Sequence, residues 1–355
     1  MSAAAEPTGP DPQVYDNMVS RAVGYLRQSQ LDDGSFSPQA GPAVTALVTN
    51  ALLAQGRSAD DPMVARALKY LEGFVHDDGG IYAEGTFHKN YETCVALSCL
   101  RAANGDGRYD DTLAAGERFI KGLQWDDEVD GEANVSFGGA GYGSHQRPDL
   151  SNTSFLLDTL KSLGRGPDDP AIQKALVFVS RCQNLESKYN TTEFANKNPD
   201  GGFYYTPAAG GNSQAGTTDD GGLRSYGSMT YAGLKSMIYA GLDESDPRVE
   251  AATNWIRENY TLADNPGMGA AGLYYYYHTF AKALDAIGAD QLRDADGVEH
   301  DWRRELTQKL ADLQQQDGSW TNDTTRWLEG DGNLVTAYVL LALDHCRAPK
   351  SPAGR

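Results

Sequence analysis

Residues 43–54 read AVTALVTNALLA, a threonine at the head of an apolar run of helix-forming residues. The pattern returns as YETCVALSCLRA (91–102), SNTSFLLDTLKSL (151–163), GSMTYAGLKSMI (227–238), YYHTFAKALDAIG (276–288) and LVTAYVLLALD (334–344). Its threonines are Thr45, Thr93, Thr153, Thr230, Thr279 and Thr336, separated by 48, 60, 77, 49 and 57 residues. A unit of roughly constant size with loops of variable length is the mark of a repeat architecture. A more polar segment precedes each copy, at 17–30, 62–74, 111–125, 170–183, 247–259 and 301–315. In these segments apolar residues recur at i, i+3, i+4 and i+7 with charges opposite, which predicts helices packed on one face only. The threonine-headed segments are apolar nearly all round, as buried helices are.

Six buried and six half-buried helices are the number that closes a ring. The chain opens with an outer helix and ends with an inner one, so each can cover the other's open face. An open solenoid needs polar capping repeats instead, and the sequence has none. The expected fold is all-α: one closed (α/α)6 toroid over residues 14–346, with a flexible N-terminal tail (1–13) and a C-terminal tail (347–355).

The junctions from outer to inner helix read QLDDGSF (30–36), HDDGGIY (76–82), NPDGGFYY (198–205) and QQDGSW (315–320), with looser forms at 135–143 and 266–277. Asp-Gly supplies a turn whose glycine tolerates positive φ. The following aromatic can fold back over it, and the glutamine ending the outer helix can bond free backbone groups.

These junctions resemble the QW motifs of terpenoid cyclases and of protein prenyltransferase β subunits, and the resemblance runs from about residue 15 to 346. It implies an aromatic cavity at the ring's centre and an apolar, isoprenoid-like ligand. In class II cyclases such as squalene–hopene cyclase, an Asp-x-Asp-Asp-Thr motif at an inner-helix start protonates the substrate. The matching stretch here is Asp149-Leu150-Ser151-Asn152-Thr153, with serine where the proton donor would stand. Asp219 and Asp220 lie about ten residues ahead of Thr230, out of register. In the prenyltransferases, Asp, Cys and His hold zinc. His278 matches the histidine, but Tyr226 and Ser228 occupy the other two places, and one histidine cannot hold zinc. No metal or cofactor is therefore expected.

Immediately before the six threonines stand Val44, Glu92, Asn152, Met229, His278 and Val335. The polar members interrupt an apolar ring at one level, and buried Glu or His must be paired or face a wet cavity. Glu92, Asp149 and His278 are the candidates for moving protons. Asp149 and Asn152 equally suit a helix cap. Tyr91, Asn152, Tyr226, Tyr231, Tyr275, Tyr277 and Tyr338 are the candidate ligand-binding residues, since aromatic faces steady cations and pack on apolar chains. His88 and His145 fall in loops near the same mouth.

Three readings stay open: a cyclase-like protein, a silent binder of lipid, glycan or peptide, and a glycan-processing enzyme with paired carboxylates. Net charge of −19 argues against nucleic acid and anionic membrane surfaces. No apolar run reaches the ~20 residues of a membrane span. The opening MSAAAEPTGPDPQ lacks the regions of a secretion signal, which leaves the compartment open, as is the oligomeric state. The four cysteines form no CxxC pair and read as buried thiols. DDEVDGE (126–132) and RDADGVEHD (293–301) read as acidic surface loops.

Overall fold

Outer and inner helices alternate six times along the chain. The computed structural model describes residues 9–126, 131–143 and 147–347. The outer helices are α1 (Pro12–Ser29), α3 (Pro62–Glu72), α5 (Asp110–Gly122), α7 (Pro170–Arg181), α9 (Pro247–Glu258) and α11 (Trp302–Leu313). The inner helices are α2 (Pro42–Ala54), α4 (Lys89–Ala103), α6 (Leu150–Ser162), α8 (Gly227–Tyr239), α10 (Leu273–Ala286) and α12 (Gly332–Cys346). Each inner helix packs on the next, α12 packs on α2, and α1 closes the outer layer against α11 and α12. The all-α closed toroid is the fold. No helix among the described residues is long and apolar enough to cross a membrane.

Four outer helices begin with Asp-Pro. Asp11, Asp61, Asp169 and Asp246 each accept the N–H two residues on, at 2.8–2.9 Å, while the proline takes the first helical position. Proline has no N–H to leave unpaired there, and the carboxylate sits well on the helix dipole. Gly9 donates to Asp301 at 2.8 Å, which ties the start of the described chain to α11.

A glutamine just after four of the outer helices stitches each to a second outer helix. Gln30 Nε2 donates to Gly34 O of its own turn and to Met63 O of α3. Gln124 reaches Gly138 and Ala171, Gln183 reaches Gly201 and Arg248, and Gln314 reaches Gly318 and Met18, all at 2.8–3.0 Å. The last pair joins α11 to α1 and seals the ring. Gly34, Gly79, Gly138, Gly201 and Gly318 all have φ between 78° and 95°, and a Cβ there would meet a backbone carbonyl of the adjoining outer helix. Glycine is required at these points by both conformation and space.

The repeated threonines tie the turns to the inner helices. Thr45, Thr93, Thr153 and Thr230 accept the N–H of Phe36, Ile81, Ala140 and Phe203 at 2.9–3.1 Å. Thr279 bonds back to its own helix, and Thr336 Oγ1 has no partner.

The RDADGVEHD stretch holds the one strand pair among the described residues, β1 (Leu292–Arg293) with β2 (Glu299–His300). Its acids are engaged locally: Asp294 accepts Val298 N–H and meets His300 Nε2, and Glu299 pairs with Arg293. DDEVDGE lies partly, and His145 wholly, outside the described residues. The four cysteines are buried and free.

Candidate functional site

The starts of the inner helices converge at one end of the ring, as the register of the threonines requires. Loops from the junctions build a wall above them, and together they enclose a cavity of about 650 Å³. That volume is ordinary for a small-molecule site.

The bottom of the cavity is a layer of four rings from the inner helices α4, α6, α10 and α12. Tyr91 (α4) meets Phe155 (α6) edge-on at 5.0 Å between centroids. Phe155 stacks toward Tyr275 (α10) at 6.2 Å, and Tyr275 tilts against Tyr338 (α12) at 5.9 Å. One turn deeper, Asp158 and His278 no longer line the cavity. Val44, Met229 and Leu334 add apolar wall. Tyr142, Tyr205 and Tyr226 enter from the junction loops, and Trp327 and Leu328 form the rim.

Glu92 lines this cavity, 3% exposed. Its Oε2 accepts Ala83 N–H at 2.7 Å and its Oε1 accepts the Thr86 hydroxyl at 2.8 Å. Burial raises its carboxyl above the ordinary value, against the pull of those two donors toward the ionised form. Gly41, with φ of 73°, leaves the room it occupies: a Cβ there would stand 3.1 Å from Glu92 Oε1.

Asp149 caps α6. Its two oxygens accept the backbone N–H and the side-chain amide of Asn152, each at 2.8 Å. Burial, countered by those bonds, pushes its carboxyl up to about 6. Asp149 stands behind the wall; Asn152, Tyr142 and Tyr205 line the cavity in front of it. A carboxyl raised in the fold keeps its proton where the unfolded chain has lost it. Stability therefore falls as pH rises from about 3.8 to about 6, by an amount on the order of 3 kcal/mol. Urea denaturation across pH 4–7 should show that slope, and Asp149→Asn, which still caps, should flatten it. An unchanged slope in the variant would mean that another group titrates.

His278 is placed one level below the cavity. It stacks on Tyr338 at 5.7 Å, its Nδ1 has no hydrogen-bond partner, and burial beside Lys282 holds it well below its usual value. It stays neutral at physiological pH. Tyr231 and Tyr277 also lie outside the lining: Tyr231 packs against Tyr276 and Phe280, and Tyr277 donates to Leu262 O. Consecutive residues of a helix point different ways, so the run Tyr274–Tyr277 sends only Tyr275 into the cavity.

Sequence reading did not single out Phe155, Tyr142, Tyr205, Trp327 or Glu329. Glu329 lines the rim, but its oxygens accept Tyr275 N–H at 2.8 Å and the Asn322 amide at 2.7 Å, so it caps α10 from a loop. Among the described residues, no group of three or more His, Cys, Asp or Glu side chains is arranged to hold a metal.

The architecture is thus an (α/α)6 ring with one aromatic cavity at the head of its inner helices. The family model of the squalene-hopene cyclase C-terminal domain matches residues 37–206, and the fold and that match make the chain terpenoid-cyclase-like. Among solved structures, the type II terpene cyclase MstE from Scytonema is 14% identical. The match covers 94% of this chain and 98% of that one, with a TM-score of 0.56. A family 76 glycoside hydrolase from a bovine Bacteroides thetaiotaomicron strain is 12% identical over 93% of this chain and 77% of that one, TM-score 0.56. A family 88 glycosyl hydrolase from Bacteroides vulgatus is 8% identical over 94% and 99%, TM-score 0.54. At such identities these likenesses concern the fold alone. No curated protein matches the sequence.

Proposed function

We propose that the cavity binds an isoprenoid or similarly apolar, unsaturated chain, and that Glu92 is the acid placed to hand it a proton. The four-ring floor of Tyr91, Phe155, Tyr275 and Tyr338 carries the reading. It offers π faces to an apolar chain and to positive charge developing on it, and Glu92 sits on the wall beside it with its carboxyl raised. A second reading, binding without turnover, is favoured by Ser151 and by the engagement of the Asp149 carboxylate as a helix cap. The glycan reading needs two free carboxyls across the cavity, and Glu329 is already occupied at the start of α10.

The test is mass spectrometry of organic extracts after incubation with squalene, geranylgeraniol and geranylgeranyl diphosphate. The expected result is a cyclised product whose formation drops at least about 100-fold in Glu92→Gln, the range for losing a general acid. Asp149→Asn shows whether the carboxyl behind the wall contributes. Tight retention of a substrate without product would leave the binding half standing and remove the role of Glu92. Neither retention nor product would end both.

A further inference from the structure

The charge of the cavity points to the chemistry of its ligand beyond an apolar tail. Among the described lining residues, the basic side chains number one, His88, while Glu84, Glu92 and Glu329 all contribute carboxylates. Two guanidiniums flank the rim, and both are engaged with rings: Arg326 lies over Trp327 at 4.2 Å, and Arg147 over Tyr205 at 5.5 Å. The whole chain adds a net charge of −19, which lowers the potential in any cleft it lines.

The three glutamates of the wall, when ionised, can only accept, among tyrosine, serine and threonine hydroxyls that donate or accept. Glu92 has spare lone pairs beyond the one bond on each oxygen. Asn152 gives its amide N–H to Asp149 and is 1% exposed, and its Oδ1 has no partner. A buried carbonyl oxygen left unpaired is unfavourable, so a donor arriving from a ligand is favoured there. Glu92 and Asn152 stand at the same register, one residue before the threonine, on the neighbouring helices α4 and α6. A head-group anion seated between Glu92 and Asn152 would be desolvated against these acceptors, while the two guanidiniums stand at the rim against Trp327 and Tyr205.

We infer that the ligand carries a hydrogen-bond-donating, positively charged or neutral head, with a protonated amine fitting best, seated between Glu92 and Asn152 above the aromatic floor. Beside an ammonium ion Glu92 ionises, because a nearby positive charge favours the carboxylate, and carboxylate, unpaired carbonyl and ring faces together form the surroundings that suit that ion. The same field favours a cationic centre arising within an apolar chain, and the inference rests on the cavity being the apolar-ligand site proposed above.

Isothermal titration of the whole protein with n-decylammonium, 1-decanol and n-decyl phosphate, each below its micelle concentration, tests it. Decylammonium is expected to bind at least tenfold more tightly than decanol, and decyl phosphate more weakly than decanol. In Glu92→Gln, the advantage of the ammonium over decanol should fall at least fivefold, and circular dichroism should report an unaltered fold. Decyl phosphate binding as well as the ammonium would overturn the charge selectivity while leaving the apolar site intact. An equal loss of all three ligands in the variant would overturn the role of Glu92. Binding of none would overturn the apolar site itself and this inference with it.

Discussion

Asp158→Ala is expected to destabilise the protein by about 3–5 kcal/mol, the usual effect of stranding a buried charge. Beneath the aromatic floor, Asp158 of α6 meets Lys235 of α8 at 2.6 Å and Lys282 of α10 at 2.8 Å. The Lys235 side chain is 2% exposed and that of Lys282 21%. Burial would raise the Asp158 carboxyl, but the two ammonium groups hold it at about 2, and burial draws Lys235 down to about 8 despite its partner. Both lysines also help to keep His278 neutral. With the carboxylate gone, two like charges face each other, one of them without water. Replacing the set with apolar residues of similar volume, Asp158→Leu, Lys235→Met and Lys282→Met together, should recover most of the loss. Urea denaturation of both proteins decides it. A single-variant loss below about 1 kcal/mol would show that water reaches Lys235 and that the cluster contributes little to holding the three helices in register.

The ring was legible because its signal repeats: six threonines, six apolar runs and six turns agree. What the threonine does was not legible. In four of the six its partner is an N–H nine to twenty-seven residues back, a distance set by loop length rather than by helical period. The Asp-Pro openings at Asp61, Asp169 and Asp246 were plain in the sequence and mark helix starts. The charged layer also left a trace: Asp158, Lys235 and Lys282 interrupt inner helices that are otherwise apolar, five, five and three residues after their threonines. The candidate site divides in the same way. Glu92, Asn152, Tyr91, Tyr275 and Tyr338 follow from helix register, and the structure brings them to one cavity with Tyr226. His278 shares the register of Glu92 and Asn152 yet lies deeper, behind Tyr338. Tyr142, Tyr205 and Trp327 come from irregular loops, where no period announces which side chain turns inward. Trp327 and Leu328 even adopt φ of 56° and 63°, a left-handed conformation that single residues other than glycine rarely take.

Trp320→Ala tests how the ring is closed, and its expected cost is again about 3–5 kcal/mol. Trp320 is fully buried and its indole Nε1 donates to Leu310 O at 2.8 Å. It belongs to the turn after α11, whose Gln314 reaches back 296 residues to Met18 of α1. Every other glutamine stitch of this kind joins an outer helix to the next outer helix along the chain; this one alone joins its ends. Alanine would leave a cavity at the seam and an unpaired carbonyl at Leu310, two losses that add. Phe36, the equivalent aromatic of the first turn, is equally buried but makes no side-chain hydrogen bond, so Phe36→Ala should cost less. The readouts are the urea midpoint and limited proteolysis, in which cleavage within α1 should accelerate first in Trp320→Ala. Uniform acceleration across the chain would mean that the ring opens as one cooperative unit, and a loss under about 1 kcal/mol would mean that the seam is held by Gln314 and Gly318 without the tryptophan.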